Sequence, residues 1–235
     1  MLVTQEQCVG TIGGGHLEFE AIAIARDLCR AEPGQGSCLS KHFSLGPSLG
    51  QCCGGAVDLQ FEVVGLAMLP AWPPDRLRFT LAVFGAGHVG RALVAALALL
   101  PCQLIWIDER EDEFDNLSAA RANVEIRAVD APSAEMKTLP PGCFVIITTH
   151  SHDLDLELCE AALRRDDLGF IGLIGSATKK ARFIKRLQQK NKSALDRLVC
   201  PIGLSTIQGK EPQVIAASVA AQLLQLSATQ QREDQ

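Results

Sequence analysis

Two adjacent cysteines, Cys52 and Cys53, are the residues of this chain most able to do chemistry. They lie in the glycine-rich stretch Gly50-Gln51-Cys52-Cys53-Gly54-Gly55. Glycines on both sides leave the thiols little side-chain cover and let the backbone adopt conformations that are closed to other residues. Such thiols can approach a ligand, a metal or another thiol, although a disulfide between two neighbours is strained. The alternative interpretation is a tight turn that holds two small apolar residues.

A glycine fingerprint is the second candidate, because Gly85-Ala86-Gly87-His88-Val89-Gly90 matches G-x-G-x-x-G. It follows a predicted strand and opens a predicted helix, and Asp108 ends the next strand, 18 residues after Gly90. This is the sequence context of a dinucleotide site. In such a site Gly85 makes the tight turn, Gly87 admits a pyrophosphate, and Gly90 lets the helix and the strand pack.

Asp108 bears on which ligand this fingerprint favours. A carboxylate at that position accepts hydrogen bonds from a ribose diol and repels a 2′-phosphate, which favours NAD over NADP. A phosphate-bearing pterin also suits the turn, because the start of the helix offers free N–H groups and a positive dipole end. An empty or repurposed site in a doubly wound domain is the structural alternative.

Polar residues follow a later predicted strand, in His150-Ser151-His152-Asp153. In open α/β sheets ligands bind outside the carboxyl ends of the strands, so we expect His150 to lie on the ligand edge, near His88. Two histidines and a carboxylate can bind a divalent metal, and either histidine can act as an acid or base. The alternative is a helix capped by Asp153 with solvated histidines, and we assign no metal site.

The next predicted strand is followed by Gly175-Ser176-Ala177-Thr178-Lys179-Lys180. Ser176 can cap the helix that begins there, and a ligand at this edge of the sheet would lie close to it. Lys179, Lys180 or Arg182 can face an anion. A solvated basic helix is the interpretation that we favour for these three cations.

A third glycine turn, Gly10-Thr11-Ile12-Gly13-Gly14-Gly15-His16-Leu17-Glu18, lies near the start of the chain. It leads into a predicted helix but lacks the buried strand that precedes a nucleotide turn. The amides of Gly13 and Gly14, together with His16, can hold an anion or a cofactor face. A purely structural turn is the equal alternative.

A proline-rich stretch divides the elements that must position these residues. Three prolines within 70–74 predict an extended linker. We therefore predict an N-terminal domain over 1–69, a linker over 70–78 and a C-terminal domain over 79–235. In the smaller, α+β N-terminal domain the pattern predicts a hairpin from 1–4 and 8–11, a helix over 17–30, and strands near 39–43 and 56–64.

The C-terminal domain alternates strands with helices, which implies a parallel sheet covered on both faces. The fold class is therefore α/β, with a Rossmann-like doubly wound parallel sheet in the C-terminal domain. Predicted strands cover 79–84, 103–108, 143–149 and 170–174, and predicted helices start near 89 and cover 154–165, 177–190 and 213–226. Residues 227–235 are predicted to be polar and frayed.

Composition excludes several classes of protein. Of the 235 residues, 47% are hydrophobic and 21% charged, as in a globular protein, and the net charge of −5 provides no basic face for nucleic acid. The longest apolar run, 92–102, contains Pro101 and is too short to span a bilayer. The chain opens without a secretory signal pattern. Its nine cysteines therefore indicate reduced thiols in the cytoplasm.

The motifs together resemble the xanthine dehydrogenase accessory protein family (XdhC/CoxI). The resemblance covers nearly the whole chain. Two of the segments that carry it precede the linker, namely 10–18 and Leu45-Gly46-Pro47-Ser48-Leu49-Gly50 with the following Gln51 to Gly55. Four follow it: the fingerprint at 84–90, Thr149 to Asp153, Gly172-Leu173-Ile174-Gly175-Ser176 and Cys200-Pro201-Ile202-Gly203-Leu204. Family members usually begin with a helix and a Gly-Ser-Ala-Pro-type segment before the strand matched by 1–4. We therefore expect the N-terminal domain to be truncated at its start.

The resemblance implies a molybdenum cofactor chaperone. Such proteins bind the cofactor, protect it while a cysteine desulfurase supplies its terminal sulfido ligand, and help to load it into apo xanthine dehydrogenase. Since molybdenum is thiophilic, Cys52 or Cys53 is expected to act as a transient ligand or sulfur relay, with Gln51 beside them at the cofactor. The family also implies a homodimer, which the small first domain and its edge strands favour as well.

Two classes of function follow from these motifs. The first is a cofactor chaperone without turnover of its own. The second is an NAD-dependent oxidoreductase that uses the fingerprint, with His150 or His152 as its acid–base group. The glycine-flanked cysteine pair favours the chaperone, because a simple dehydrogenase has no need of it.

Overall fold

The computed structural model describes residues 1–31, 37–45, 55–65, 77–114, 121–188 and 195–233. The chain divides into two units, Met1–Pro74 (unit 1) and Asp75–Gln235 (unit 2). The proline-rich stretch at 70–74 lies outside the described residues.

In its described residues, unit 1 has two small antiparallel sheets and one helix. Its elements are β1 (Leu2–Val3), β2 (Cys8–Val9), α1 (Gly15–Arg30), β3 (Cys38–Ser44) and β4 (Ala56–Glu62). β1 pairs with β2, and β3 pairs with β4 over seven residues. Within the described part of unit 1, Ala21 and Phe43 are the buried hydrophobic side chains, so this unit has a thin core. The predicted elements are all present, but α1 begins at Gly15, two residues before the predicted start.

Unit 2 is built on a six-stranded parallel sheet in the order β10-β9-β8-β5-β6-β7. The strands are β5 (Thr80–Phe84), β6 (Gln103–Asp108), β7 (Val124–Ala128), β8 (Phe144–Ile147), β9 (Phe170–Leu173) and β10 (Leu198–Val199). The central strands β5, β6 and β8 are almost continuously apolar and buried, because helices cover both of their faces.

The α-helices described around this sheet are α2 (His88–Leu97), α3 (Pro132–Glu135), α4 (His152–Leu163), α5 (Ala177–Gln188) and α6 (Pro212–Glu233). On one face, Phe84 and its neighbours pack with residues of α4 and α5. On the other face, Trp106 and its neighbours pack with residues of α2 and α6. The predicted doubly wound α/β fold is therefore confirmed. Within the described residues, no helix is both long and apolar enough to cross a membrane.

Three predictions about unit 2 are wrong or incomplete. The sequence pattern did not reveal β7, β10 or α3. The N-cap of α4 is Ser151, whose Oγ accepts a hydrogen bond from the N–H of Leu154 at 3.3 Å, and not Asp153. The predicted fraying after 226 is also wrong, since α6 continues to Glu233. Ser227 is fully buried because it continues the inward-facing stripe of the helix, and its hydroxyl donates a hydrogen bond to the Leu224 carbonyl.

Candidate functional site

The fingerprint glycines lie between β5 and α2, as predicted, but they differ in why they are glycine. Gly85 has φ of +116°, and a Cβ there would lie 2.5 Å from the Thr148 carbonyl oxygen. A Cβ on Gly90 would overlap the carbonyl oxygen of Gly85. Gly87 has an ordinary φ of −71°, and a Cβ there would meet no atom of the described residues within 4 Å. The fold requires Gly85 and Gly90, whereas Gly87 leaves an open space at the start of α2.

The start of α2 has donors to offer to that space. The first intrahelical bond runs from the N–H of Arg91 to the Gly87 carbonyl at 2.9 Å, so the preceding N–H groups have no helical acceptor. No side chain caps the helix, and its first turn holds no acidic residue. His88, which is exposed, is the first residue of the helix. The turn can therefore receive an anion at the positive end of the helix dipole.

Asp108 lies at the carboxyl end of β6, where the sequence predicted it, but protein groups surround its carboxylate. Oδ2 accepts hydrogen bonds from the N–H of Ala86 at 2.6 Å and from Arg110 Nη2 at 2.9 Å. Oδ1 accepts from the N–H and the Nε of Arg110, both at 2.9 Å. Burial alone would raise the pKa of Asp108, but the hydrogen bonds from Arg110 and Ala86 outweigh it and lower that pKa. Arg110, two residues beyond the end of β6, was not among the predicted site residues.

His150 does lie at the ligand edge, where it meets a residue that the sequence analysis did not name. Its Nε2 is 3.5 Å from Glu109 Oε1, and both side chains are about half exposed. The contact links the loop after β8 to the loop after β6. Asp153 is 93% exposed and faces Arg186 at 3.6 Å. No group of three or more metal-binding side chains occurs in the part of the chain that the structure describes.

The first turns of α4 and α5, which follow β8 and β9, are joined by a buried ion pair between Asp155 and Lys179. Lys179 Nζ donates to Asp155 Oδ2 at 2.6 Å and to the Ile174 carbonyl at 2.9 Å. The other oxygen of Asp155 accepts from the N–H and the hydroxyl of Thr149. The Asp155 side chain is 1% exposed and that of Lys179 13%. The interpretation of Lys179 as a solvated cation is therefore wrong.

Ser176 takes the role of a helix cap, as predicted. Its Oγ accepts a hydrogen bond from the N–H of Lys179 at 3.2 Å.

Asp155 belongs to a stripe on α4 that includes Leu158, Cys159 and Ala162, all buried. An acidic residue in line with an apolar helix face was the available sign of a buried ion pair.

In the glycine turn of unit 1, the backbone N–H groups donate hydrogen bonds to the carboxylate of Glu18. Its Oε2 accepts from the N–H of Ile12 at 2.8 Å, from the N–H of Gly14 at 3.1 Å, and from the hydroxyl of Thr11. The hydrogen bond from Thr11, followed by those from Ile12 and Gly14, lowers the pKa of Glu18. The carboxylate of the chain itself therefore takes the anion position that we considered for an external ligand.

Other predicted residues of unit 1 have different positions. Gly13, like Gly14, has a positive φ, and a Cβ there would meet no atom within 4 Å. His16 is exposed, lies 3.2 Å from Glu20 and stacks on Phe19. Gln51, Cys52 and Cys53 lie outside the described residues, so their place at a site stays a prediction.

Comparison with known proteins agrees with this architecture. The family model described as the XdhC Rossmann domain matches residues 81–223. An uncharacterized protein of Escherichia coli K12, YqeB, is 27% identical over 221 residues, or 93% of this chain, and the chain spans 38% of that relative's length. A Bacillus halodurans crystal structure described as a xanthine dehydrogenase is 22% identical with a TM-score of 0.72, covering 94% of this chain and 83% of that one. The last likeness is one of fold.

Proposed function

This chain belongs to the XdhC family, and from that premise we propose that it is a molybdenum cofactor-binding chaperone for a xanthine dehydrogenase-type enzyme. The family domain suggests a role in the maturation of such enzymes. In the proposal the chain holds the cofactor as cargo while a cysteine desulfurase supplies the sulfido ligand, and then helps to insert the cofactor into the apoenzyme. It acts as a homodimer.

One structural observation carries the proposal, the open turn before α2. A Cβ on Gly87 would meet no atom within 4 Å, and no side chain caps the adjacent helix start. No contact with the described residues calls for glycine there, but a phosphate that approaches the backbone does. The molybdenum cofactor is a pterin with a phosphate group. We assign that phosphate to this turn, with His88 beside it at the first position of the helix.

The molybdenum end of the cargo is assigned to the cysteine loop. This assignment rests on the sequence, where Cys52 and Cys53 are flanked by glycines. A thiolate is a suitable transient ligand for a thiophilic metal, and glycines permit close approach. In this proposal the two thiols protect the metal centre or relay sulfur to it.

The test is pterin co-purification from a molybdenum-replete host. Gly87→Val places a side chain where the phosphate is proposed to lie, while Ala95→Val adds bulk at an exposed position of the same helix. We expect Gly87→Val to lose about tenfold or more of the bound pterin, since it displaces a charge-assisted hydrogen-bonding group. Ala95→Val should retain the pterin. A folded Gly87→Val protein with unchanged pterin content would contradict the assignment.

A second arm of the same experiment examines the thiols. Cys52→Ser and Cys53→Ser are compared with Cys8→Ser, which alters an exposed thiol of β2. Loss of bound molybdenum in either loop variant, with Cys8→Ser unaffected, supports the proposal. Full retention in both loop variants would leave the two thiols as turn residues.

A further inference from the structure

The carboxylate of Asp108 has no capacity left for a ligand. A carboxylate has about four lone-pair sites. All four are used: one by the N–H of Ala86, and three by the N–H, Nε and Nη2 of Arg110. The Asp108 side chain is 3% exposed, so solvent does not compete for it. In dinucleotide sites of this architecture, the acidic residue at this position accepts hydrogen bonds from the adenine ribose.

Arg110 is itself held in place. Its Nε and Nη2 face the two carboxylate oxygens of Asp108 as a planar fork, the geometry of a bidentate pair. Its remaining nitrogen, Nη1, lies 3.4 Å from Glu113 Oε1, and Glu113 also pairs with Arg91. The Arg91 Nε donates in turn to the Ala86 carbonyl at 2.9 Å. A ribose diol would have to displace a guanidinium that is bound on two sides.

The same region does not suit a 2′-phosphate either. Residues 108–113 carry five carboxylates and one guanidinium. The guanidinium of Arg110 is already directed at Asp108 and Glu113. A phosphate placed here would meet a net negative field instead of a free arginine fork. The end of β6 is therefore closed to both forms of the adenine ribose, while the start of α2 stays open.

We infer that Arg110 is the specificity-determining residue of this turn. Arg110 withholds Asp108 from a ribose diol, so the site accepts a phosphate-bearing ligand without adenosine and discriminates against NAD. The inference rests on the proposed function only in treating the turn as a phosphate site. It also argues against the NAD-dependent oxidoreductase, because that class needs the adenosine end of NAD to be held.

The test compares ADP with 2′,3′-dideoxy-ADP, which differ in the ribose diol and share the diphosphate. Isothermal titration on the full chain measures both affinities in the unaltered protein, in Arg110→Ala and in Arg110→Gln, whose amide cannot form the fork. Arg182→Ala, which removes an exposed cation of α5, is the control for loss of charge. The double variant Asp108→Asn, Arg110→Ala examines whether any gain passes through the carboxylate.

We expect the unaltered protein to bind both nucleotides weakly, through the diphosphate that they share, and with affinities equal within about twofold. Removing the guanidinium should free Asp108, so that the Arg110 variants prefer ADP by about tenfold to a hundredfold, the effect of one or two hydrogen bonds to a charged group. The double variant and Arg182→Ala should show no preference. A tenfold preference for ADP in the unaltered protein would overturn the inference whether or not the variants fold.

A folded Arg110 variant without any preference for ADP would overturn it as well. These results are independent of the chaperone assignment. Unchanged pterin binding in Gly87→Val contradicts the proposed function and leaves the comparison of the two nucleotides standing, whereas a diol preference in the unaltered protein contradicts the role of Arg110 and leaves the pterin result standing.

Discussion

The two glycine turns that open α1 and α2 look alike in sequence but differ in what their amides bind. In unit 1, Glu18 reaches back from the first turn of α1 and accepts the N–H groups of Ile12 and Gly14. In unit 2, the first turn of α2 has no acidic residue, and Arg91 donates to the Ala86 carbonyl instead. The first-turn side chain, and not the glycine pattern, decides whether such a turn is available to a ligand.

The glycines themselves also differ in function. Those at 13, 14 and 15 have φ of +119°, +75° and +74°, so unit 1 needs them for the backbone conformation. Gly90 has no such φ and is required instead by contact with the carbonyl of Gly85. Gly87 satisfies neither condition. Substitution by alanine therefore separates three physical reasons for a glycine: the backbone conformation at 13–15, the close contact at Gly90, and the space for a ligand that we propose at Gly87.

The largest effect is expected for Gly90→Ala. The added Cβ would overlap a backbone oxygen, which cannot move aside as a flexible side chain can. We expect the free energy of unfolding to fall by about 3 kcal/mol, a large share of the stability of an ordinary domain. Urea unfolding of the full chain, followed by circular dichroism, measures this.

Gly87→Ala is the matched control, since the same methyl group enters open space three residues away. Its free energy of unfolding should change by less than about 0.5 kcal/mol. Equal losses in the two variants would show that the turn relaxes as a whole and that the distinction between packing and ligand access does not hold.

Most of the fold could be predicted because its main elements have strong periodic or apolar patterns. The strand predicted over 103–108, for example, begins and ends at the same residues as β6. The strands that escaped prediction carry weaker patterns. β7, with the sequence VEIRA, is an edge strand in which apolar and charged residues alternate over only five positions, unlike the continuous apolar runs of the central strands, and β10 is only two residues long.

The positions of the candidate site residues could be predicted from the sequence, but their hydrogen-bond and ion-pair partners could not. Asp108 and His150 are where strand ends must place them, because the topology alone decides that. The partners of a carboxylate depend instead on side-chain directions. Arg110 folds back over Asp108 from two residues away, and Lys179 reaches Asp155 on a different helix. Neither pairing follows from the spacing of the residues.

A smaller loss of stability is expected for Gly14→Ala. Gly14 has φ of +75° and ψ of −166°, a region that residues with a Cβ rarely adopt, although no atom blocks a Cβ there. The cost is therefore conformational, about 1 to 3 kcal/mol. Amide hydrogen exchange over α1 measures it, because protection of that helix depends on the turn before it. Protection equal to that of the unaltered protein would remove the conformational argument for the three glycines.

The smallest effect is a pH dependence of the turn in unit 1, carried by Glu18. Its pKa in the folded chain lies below the ordinary value of 4.5, because the ionised form accepts hydrogen bonds from Thr11, Ile12 and Gly14. A depressed pKa means that the carboxylate stabilises the fold above its ordinary pKa, and that this contribution disappears as the pH falls through the lowered value. At neutral pH the amides of Ile12 and Gly14 should therefore be protected from exchange, and their protection should decline on acidification below 4.5.

Glu18→Gln keeps an oxygen acceptor but removes the charge that strengthens these bonds. We expect lower protection of the Ile12 and Gly14 amides at neutral pH and little further change on acidification. Glu20→Gln, which alters an acid on the same helix that contacts His16 instead of the turn, should behave like the unaltered protein. If Glu18→Gln retained full protection at neutral pH, the amides of this turn would not depend on the carboxylate. The turn could then accept an external anion as the turn of unit 2 is proposed to do, and the contrast between the two turns would lose its physical basis.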